Sequence, residues 1–460
     1  LSRRRGHADG MPPLRHLQPC PGLAAMPATH RNDSASPRSA LVIGAQGFLG
    51  GFIAAALRAR GWRVIAGVRH PRPGCDERRV DLTLMSSAQD WRPILADVDA
   101  VVNASGILRE SGRQSFAAIH VAAPMALASA CVDAGIDTFV QISALGIPAD
   151  GGFIESKHRF DEALLALPMR SVVLRPSVVY AVSGSYGGTS LLRALAALPL
   201  FSLLPGAGQW LIQPVAAEDL AHLVADALQG AQRGIYEVGA SQPITLRDYQ
   251  LAWRRWLRID GRRILGVPEI LVSVQVWLAE RLGRGPVGET MWRMLRRGNI
   301  THADAGPRLL RDFGTLPRAL DEVLATQPSQ VQDRWQAQAY FLAPLLRVSI
   351  IAVWLLSALA GWLTPAATIE ALADGSLLQA MPVTALARAT GALDLSLAVW
   401  LASGWRPRWA IALMAASVLA YTVAFGLLLP ALWLESLGGL AKNLVILPAL
   451  GLAWVLAERR

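Results

Sequence analysis

From Phe341 to the end of the chain the sequence is almost continuously apolar, and such a run leaves few ways to fold. Four spans stand out, roughly 341–363, 383–405, 409–431 and 437–457. Each approaches the ~20 residues that a helix needs to cross the hydrocarbon core of a bilayer. Trp354, Trp362, Trp405, Trp409 and Trp433 lie in or beside these spans and include residues suited to the lipid–water boundary. The flanking charges predict the orientation. Arg334 and Arg347 precede or open the first span, and loop 364–382 holds Glu370 and Asp374 but no Lys or Arg. Arg406 and Arg408 lie in the second loop, Glu435 in the third, and Arg459 and Arg460 close the chain. Positive charge therefore alternates, which predicts a multi-pass protein of a bacterial-type inner (plasma) membrane, with the N-terminal domain and C-terminus cytoplasmic. The bilayer is thus the first expected partner.

The remaining residues read as an ordinary soluble protein. The whole chain has 460 residues and is 53% hydrophobic but only 17% charged, against a usual charged share of about 25%. The deficit is concentrated after Phe341. A net charge of +10 raises nucleic acid as a partner, but the arginines (Arg254, Arg255, Arg262, Arg263, Arg296, Arg297) are scattered and frame no nucleic-acid motif. A basic face beside an anionic membrane accounts for them better, so no nucleic-acid partner is expected. Cys20, Cys75 and Cys131 are odd in number and far apart, so neither a disulfide framework nor a metal cluster follows, and a reducing compartment is expected. Residues 1–38, rich in Arg, Pro, Ser and Gly, predict a disordered arm without a signal peptide. Because the chain begins with Leu1 and has methionines at 11 and 26, part of this arm is expected to lie upstream of the translation start.

The stretch Leu41-Val42-Ile43-Gly44-Ala45-Gln46-Gly47-Phe48-Leu49-Gly50 joins a short buried strand to a helical run, Phe52–Arg60. Gly44, Gly47 and Gly50 suit a tight turn, close approach of a pyrophosphate and close helix packing, and the helix N-terminus offers free N–H groups to phosphate. Strands are predicted at Ala40–Gly44, Arg63–Val68, Arg78–Val80, Ala100–Asn103, Thr138–Ser143 and Ser171–Leu174, with helices between, such as Phe116–Ala134. That alternation predicts an α/β doubly wound parallel sheet of Rossmann type, with the ligand beyond the carboxyl ends of the strands.

Each strand end carries a candidate. Arg69 follows the second strand, where an acidic residue would bind the ribose of NAD; an arginine can pair instead with a 2′-phosphate, favouring NADP(H) over NAD(H), and a solvated surface arginine is the competing reading. Asp81 and Leu82 follow the third strand and suit the adenine edge; a plain strand-end Asp is the competing reading. Asn103-Ala104-Ser105-Gly106 follows the fourth and lets a cofactor lie close to the backbone. The fifth ends on Ser143, whose hydroxyl is expected at the open edge of the sheet. Phe153-Ile154-Glu155-Ser156-Lys157 then opens a helix that continues to Leu167.

In this order the residues resemble the short-chain dehydrogenase/reductase superfamily, in its extended and atypical branches. These include NAD(P)H-binding epimerase-like proteins and the accessory subunit of respiratory complex I. Leu174-Arg175-Pro176-Ser177-Val178-Val179-Tyr180 and Gln213-Pro214-Val215-Ala216-Ala217-Glu218-Asp219 are similar to later segments of the extended branch. The resemblance implies cofactor contacts from Gly44, Gln46, Gly47, Phe48, Leu49, Gly50, Arg69, Asp81, Leu82, Asn103, Ala104, Ser105, Gly106, Lys157 and Pro176, with Ser143 and Lys157 as catalytic residues. The family's catalytic tyrosine, four residues before the lysine on one helical face, is Phe153 here. Phenylalanine has no proton to give, so cofactor binding is expected to persist while carbonyl–alcohol chemistry is impaired.

The expected organisation is a cofactor-binding domain over 39–330 with a substrate part about 181–300, a linker at 331–340, and a membrane domain over 341–460. The apolar stretch Thr189–Leu204 has two readings, a helix bordering a cleft for a lipophilic ligand or a helix in its own core. Trp253, Trp256, Trp277 and Trp292 likewise read as core residues or as seats on the bilayer surface. The apolar C-terminal part resembles the DoxX-like four-helix membrane family. The resemblance rests on Leu346-Arg347 with Trp354-Leu355, Gly391-Ala392-Leu393-Asp394 and Ala441-Lys442-Asn443-Leu444. Buried ionisable groups in lipid face partners, so Asp394 is expected to pair with Lys442 or Arg388, either structurally or as part of a proton or quinone site. Three functions remain: a membrane-anchored oxidoreductase acting on a small lipophilic substrate (quinone or isoprenoid-like), a non-catalytic cofactor-binding module of a membrane redox complex, and an NAD-dependent epimerase or dehydratase.

Overall fold

A computed structural model describes residues 37–112, 114–281, 287–434 and 440–457. The N-terminal arm up to residue 36, Glu435 and the closing Arg459 and Arg460 lie outside the described residues. The chain forms two compact units. The first holds residues up to 186, 208–249 and 267–327, and the second holds 187–207, 250–266 and 328 onward.

The first unit is built on a seven-stranded sheet. Its strands are β1 (Ser39–Ile43), β2 (Arg63–Val68), β3 (Glu77–Arg79), β4 (Ala100–Asn103), β5 (Thr138–Ile142), β6 (Arg170–Pro176) and β7 (Gly234–Val238). The order is β7-β6-β5-β4-β1-β2-β3, and every pairing is parallel. This is the doubly wound fold that the sequence predicts. The edge strand β7, short and opened by Gly234, escaped the strand prediction. Val42 lies opposite Ala66 on one side and Val102 on the other, so β1 is central.

Because a strand sends successive side chains to opposite faces, β1 feeds two cores at once. Ala40 and Val42 pack with Ile53 and Leu57 of helix α1 (Phe48–Ala59) and with Leu220, Leu223 and Val224. Leu41 and Ile43 pack on the other face with Trp91, Leu127, Ala130, Phe160 and Leu164. The helices on that face are α2 (Ala123–Asp133) and α3 (Gly152–Leu165). A π-helical turn, Ala117–Ala122, precedes α2 and shifts the register of His120 inside what the sequence reads as one regular helix. Cys131 is a buried free thiol in α2. Cys20 lies outside the described residues.

The second unit gathers α4 (Gly187–Ala196), the strand Phe201–Pro205, residues 250–266 and the apolar C-terminal helices. In chain order after α5 (Ala217–Gln229) of the first unit, these helices are α6 (Val331–Leu363), α7 (Val383–Ser403), α8 (Pro407–Leu428) and α9 (Asn443–Leu456). Residues 331–340, expected as a linker, form the first turns of α6. Of the four expected spans, three are helices long and apolar enough to cross a membrane, α6, α7 and α8. The fourth apolar segment is shorter, a single 3-10 turn followed by α9, and the residues just before it, 435–439, lie outside the described set.

Helices α6 and α7 meet at glycines. A Cβ on Gly361 would lie 2.9 Å from the Ala387 carbonyl oxygen and 3.3 Å from Gly391 Cα. Small residues let helix backbones approach in this way where lipid offers no hydrophobic drive to association. Below the crossing, Ile350, Trp354, Leu397, Leu401, Met414, Val418 and Leu450 form the core of the bundle. Trp253 is buried in this unit with the Arg193 guanidinium 4.2 Å from its ring centre, and Trp292 is buried in the first unit, so both are core residues. Trp277 is not: it is 58% exposed.

Candidate functional site

Past β1 the chain turns on Gly44, whose φ of +82° is a left-handed value that favours glycine. The Gly47 N–H donates to the Gly44 carbonyl at 2.8 Å, and α1 starts at Phe48. A Cβ on Gly50 would lie 2.0 Å from the Gly44 carbonyl oxygen, so no larger residue fits while the turn keeps this shape. Gly44 also abuts the Ala104 carbonyl and Ser105 Cα, at 3.1 and 3.2 Å from a would-be Cβ, so the turn and the loop after β4 form one cradle. No acidic residue stands in the first turn of α1 and no side chain caps it, leaving its N–H groups and positive dipole end for an anion. Gln46 is exposed, Leu49 packs on the core, and Phe48 stacks on Tyr186 with ring centres 6.0 Å apart.

Arg69 stands exposed at the end of β2 and makes no hydrogen bond or ion pair among the described residues. Its charge reaches Asp81, whose carboxyl is held below the usual range, chiefly by the Thr83 hydroxyl and with help from the Thr83 N–H and Arg69. Thr83 donates to Asp81 Oδ1 from its hydroxyl at 2.7 Å and its N–H at 3.0 Å, while Leu82 packs partly into the core. Asn103 is buried at the end of β4. Its amide donates to Gln141 at 2.8 Å, and its oxygen accepts from the Ser105 hydroxyl at 2.5 Å. The Pro176 carbonyl at the end of β6 accepts the Leu145 N–H at 3.0 Å. The strand ends thus present Arg69, Asp81, Asn103, Ser143 and Pro176 along one edge of the sheet.

Lys157 reaches into this edge from α3. Its Nζ donates to the Ser105 carbonyl at 2.9 Å and to the Ile142 carbonyl at 3.0 Å, tying the loop after β4 to β5. Only 5% of the residue is exposed, and burial pushes its ammonium down to about 8, against the pull of Asp161. A Cβ on Gly106 would sit 3.2 Å from this nitrogen, so the glycine keeps the space beside it open.

Ser143 lies where the sequence places it, but its proton does not face outward. The hydroxyl donates to Oδ2 of Asp161 at 2.7 Å, and Arg175 Nε donates to the same oxygen at 2.9 Å. Asp161 is wholly buried, and burial raises its carboxyl pKa while Ser143 and Arg175 act the other way. Asp161 falls four residues after Lys157 on the same face of α3, a spacing that was available in the sequence and passed over.

His120 is the other residue that sequence reasoning missed. Its Nε2 accepts the Ile107 N–H at 3.0 Å, so the neutral ring carries its proton on Nδ1, 2.8 Å from Ser156 Oγ. Ser156 in turn donates to the Phe153 carbonyl at 3.0 Å. Burial and the Lys157 charge push His120 down to about 3, so it stays neutral. Phe116 stacks on this imidazole at 5.2 Å and Phe153 meets it edge-on at 5.5 Å. At the position of the family's tyrosine the structure therefore holds a packed aromatic cluster without a hydroxyl.

In the second unit Asp394 does not pair with Lys442 or Arg388. Its Oδ2 accepts the Ser357 hydroxyl at 2.6 Å, linking α7 to α6. Arg388 instead donates to the Gly361 and Thr364 carbonyls at the C-terminus of α6, at 2.9 Å for Thr364. Arg388 and Asp394 lie six positions apart, about 9 Å along the axis, and the unpaired carbonyls of a helix C-terminus attract the guanidinium first.

Residues 40–197 match the NAD dependent epimerase/dehydratase family, and residues 351–453 match the DoxX-like family. The chain is 26% identical over 267 residues to a protein of Arabidopsis thaliana, the mitochondrial NADH dehydrogenase (ubiquinone) 1 alpha subcomplex subunit 9. The match covers 52% of this chain and 64% of that relative, so the chain spans less than two thirds of its length. Among solved structures, a UDP-N-acetylglucosamine 4-epimerase from Bacillus cereus is similar at 18% identity and a TM-score of 0.43, over 57% of this chain and all of that one. A human epimerase family protein solved with NADPH is similar at 21% identity and a TM-score of 0.47, over 63% of this chain and all of that one. The chain joins an epimerase-type, short-chain dehydrogenase/reductase-like NAD-binding domain to a DoxX-like membrane domain.

Proposed function

We propose that the protein holds a nicotinamide dinucleotide at the glycine turn and serves as a cofactor-binding module of a membrane redox complex. The observation that carries this reading is Phe153, packed on His120 where the family keeps its acid. The Ser143 proton is committed to Asp161, and those of Ser105 and Ser156 to Asn103 and the Phe153 carbonyl. The residues fit the cofactor. Gly44, Gly47 and Gly50 leave room for its phosphates at the start of α1, with Gln46, Phe48 and Leu49 beside them. Asp81 and Leu82 flank the adenine, and Asn103, Ala104, Ser105, Gly106 and Pro176 line the path of the chain of riboses. Lys157 binds the ribose beside the nicotinamide. Arg69, exposed and without a hydrogen bond or ion pair among the described residues, supports a 2′-phosphate and hence NADP(H) over NAD(H). The relative in the complex I subcomplex supports the redox assembly as partner. The arginine pattern supports a bacterial-type plasma membrane with the cofactor domain and C-terminus in the cytoplasm.

Lys157 favours a second reading. Its ammonium, pushed to about 8, is a proton donor within the site, and hydride transfer to a lipophilic acceptor such as a quinone needs no tyrosine. One experiment separates the two. Purified protein in detergent is titrated with NADPH and NADH by cofactor fluorescence, and NADPH oxidation is followed across a panel of quinones and aldehydes, with Gly47→Asp as control. The module reading expects NADPH to bind without turnover and a redox partner to co-purify from mildly solubilised membranes. Turnover above the control establishes the oxidoreductase, and absence of NADPH binding overturns both.

A further inference from the structure

The helix Glu269–Arg281 wears its apolar side outward. Ile270, Leu271, Val274, Trp277 and Leu278 are 72%, 59%, 56%, 58% and 49% exposed. At 100° per residue these five positions fall within an arc of about 120°, the width of stripe that a helix normally turns toward a core. The helix is fastened to its own unit by the other side. Ser273 accepts the Trp292 indole N–H at 3.1 Å, Glu269 pairs with Arg296 at 3.4 Å, Glu280 pairs with Arg109 at 3.3 Å, and Val276 is buried. An anchored polar side fixes the direction in which the apolar stripe points, so this is a displayed face and not a loosely attached segment.

We infer that this face is a membrane seat, immersed at the boundary between phospholipid headgroups and acyl chains. Three observations choose lipid as its occupant. From Ile270 to Leu278 the stripe bears no charge, and Arg281 closes its C-terminal end with its guanidinium 5.2 Å from the Trp277 ring centre. An indole at the boundary with a cation turned to phosphate is the arrangement that interfacial helices use. The bilayer is also always at hand, because α6, with the apolarity to cross it, starts at Val331, four residues after the first unit ends at Gln327. Finally, a chain of net charge +10 is drawn to anionic headgroups. Faces of this kind sink about 5–10 Å into the headgroup and acyl boundary. The seat would hold the cofactor domain in a fixed attitude to the lipid.

The full-length protein in nanodiscs of phosphatidylcholine and phosphatidylglycerol tests this. Val274→Cys and Leu278→Cys each carry an environment-sensitive fluorophore, with Arg79→Cys, exposed on β3, as the reference and the signal of the unsubstituted protein subtracted. Lipids bearing a nitroxide on the acyl chain are expected to quench both stripe positions several-fold more than the reference, with aqueous iodide showing the reverse order. Iodide quenching equal to the reference places the face in water and overturns the inference. Protection from both quenchers means that protein covers the face, whether a partner, a second copy or the chain itself, and overturns it equally. Two stripe positions keep the test decisive if one substitution disturbs folding.

Discussion

The ring of Phe153 stands edge-on to the imidazole of His120, with 77° between their planes and 5.5 Å between their centres. The contact is tightened by a relay from His120 through Ser156 to the carbonyl of Phe153 itself. A phenol at this position restores the family's acid but not the Ser143 proton. Phe153→Tyr is therefore expected to keep NADPH binding unchanged and to show no carbonyl reduction in a cofactor-oxidation assay. Gain of turnover would mark an eroded enzyme and discard the module reading.

The glycine turn makes a sharper demand. Because a Cβ on Gly50 would enter the Gly44 carbonyl oxygen at 2.0 Å, Gly50→Ala must shift the backbone of the turn. Overpacking of this kind costs typically about 1–3 kcal/mol. A lower melting temperature in detergent, together with loss of NADPH-induced stabilisation, is the expected result.

Arg69 sets the choice between cofactors. With no hydrogen bond or ion pair to break among the described residues, Arg69→Glu is expected to weaken NADPH strongly and to spare or improve NADH. Paired titrations of the two cofactors check this. An unchanged ratio of dissociation constants would remove Arg69 from the site.

Lys157 gives the protein a pH signature. Burial holds its ammonium at about 8 in the folded chain, below its ordinary 10.5. Between these values the unfolded chain binds more protons than the folded one, so this residue makes stability rise with pH across that window. Below about 8 both states are protonated and its cost is constant. Affinity for NADPH is expected to move the opposite way, falling as pH climbs through about 8 and the ammonium is lost. Melting curves and cofactor titrations against pH measure both trends, and Lys157→Met should flatten the first and abolish most binding.

In the membrane unit, Ser357→Ala removes the hydroxyl that Asp394 accepts across α6 and α7. Hydrogen bonds between membrane helices are worth roughly 0.6–2 kcal/mol, and a loss in that range is expected in thermal or denaturant unfolding in detergent. No measurable loss would remove this hydrogen bond from the contacts that hold α6 to α7.

Much of the fold was legible because parallel strands buried on both faces leave short apolar runs rich in β-branched residues, such as Val64–Val68, separated by helical patterns. Short β7 lacked that signal, and α9 is shorter than the apolar run that predicted it. The position of Lys157 followed from its place in an ordered motif series. The direction of the Ser143 proton did not, because it depends on Asp161 and Arg175 arriving from α3 and β6. His120 was hidden for a related reason, since a π-helical turn sets its angle. Asp394 shows the limit of matching opposite charges by eye. Arg388 had the right sign but the wrong height, and a helix end stood nearer.

The outward stripe from Ile270 to Leu278 also bears on how the protein can be handled. A fragment cut before Val331 would keep the whole sheet and glycine turn, yet carry five large apolar side chains on a rigid helix into water. Such a fragment should self-associate and need detergent or polar substitutions at Val274 and Leu278, even though the three described helices long and apolar enough to cross a membrane have been removed.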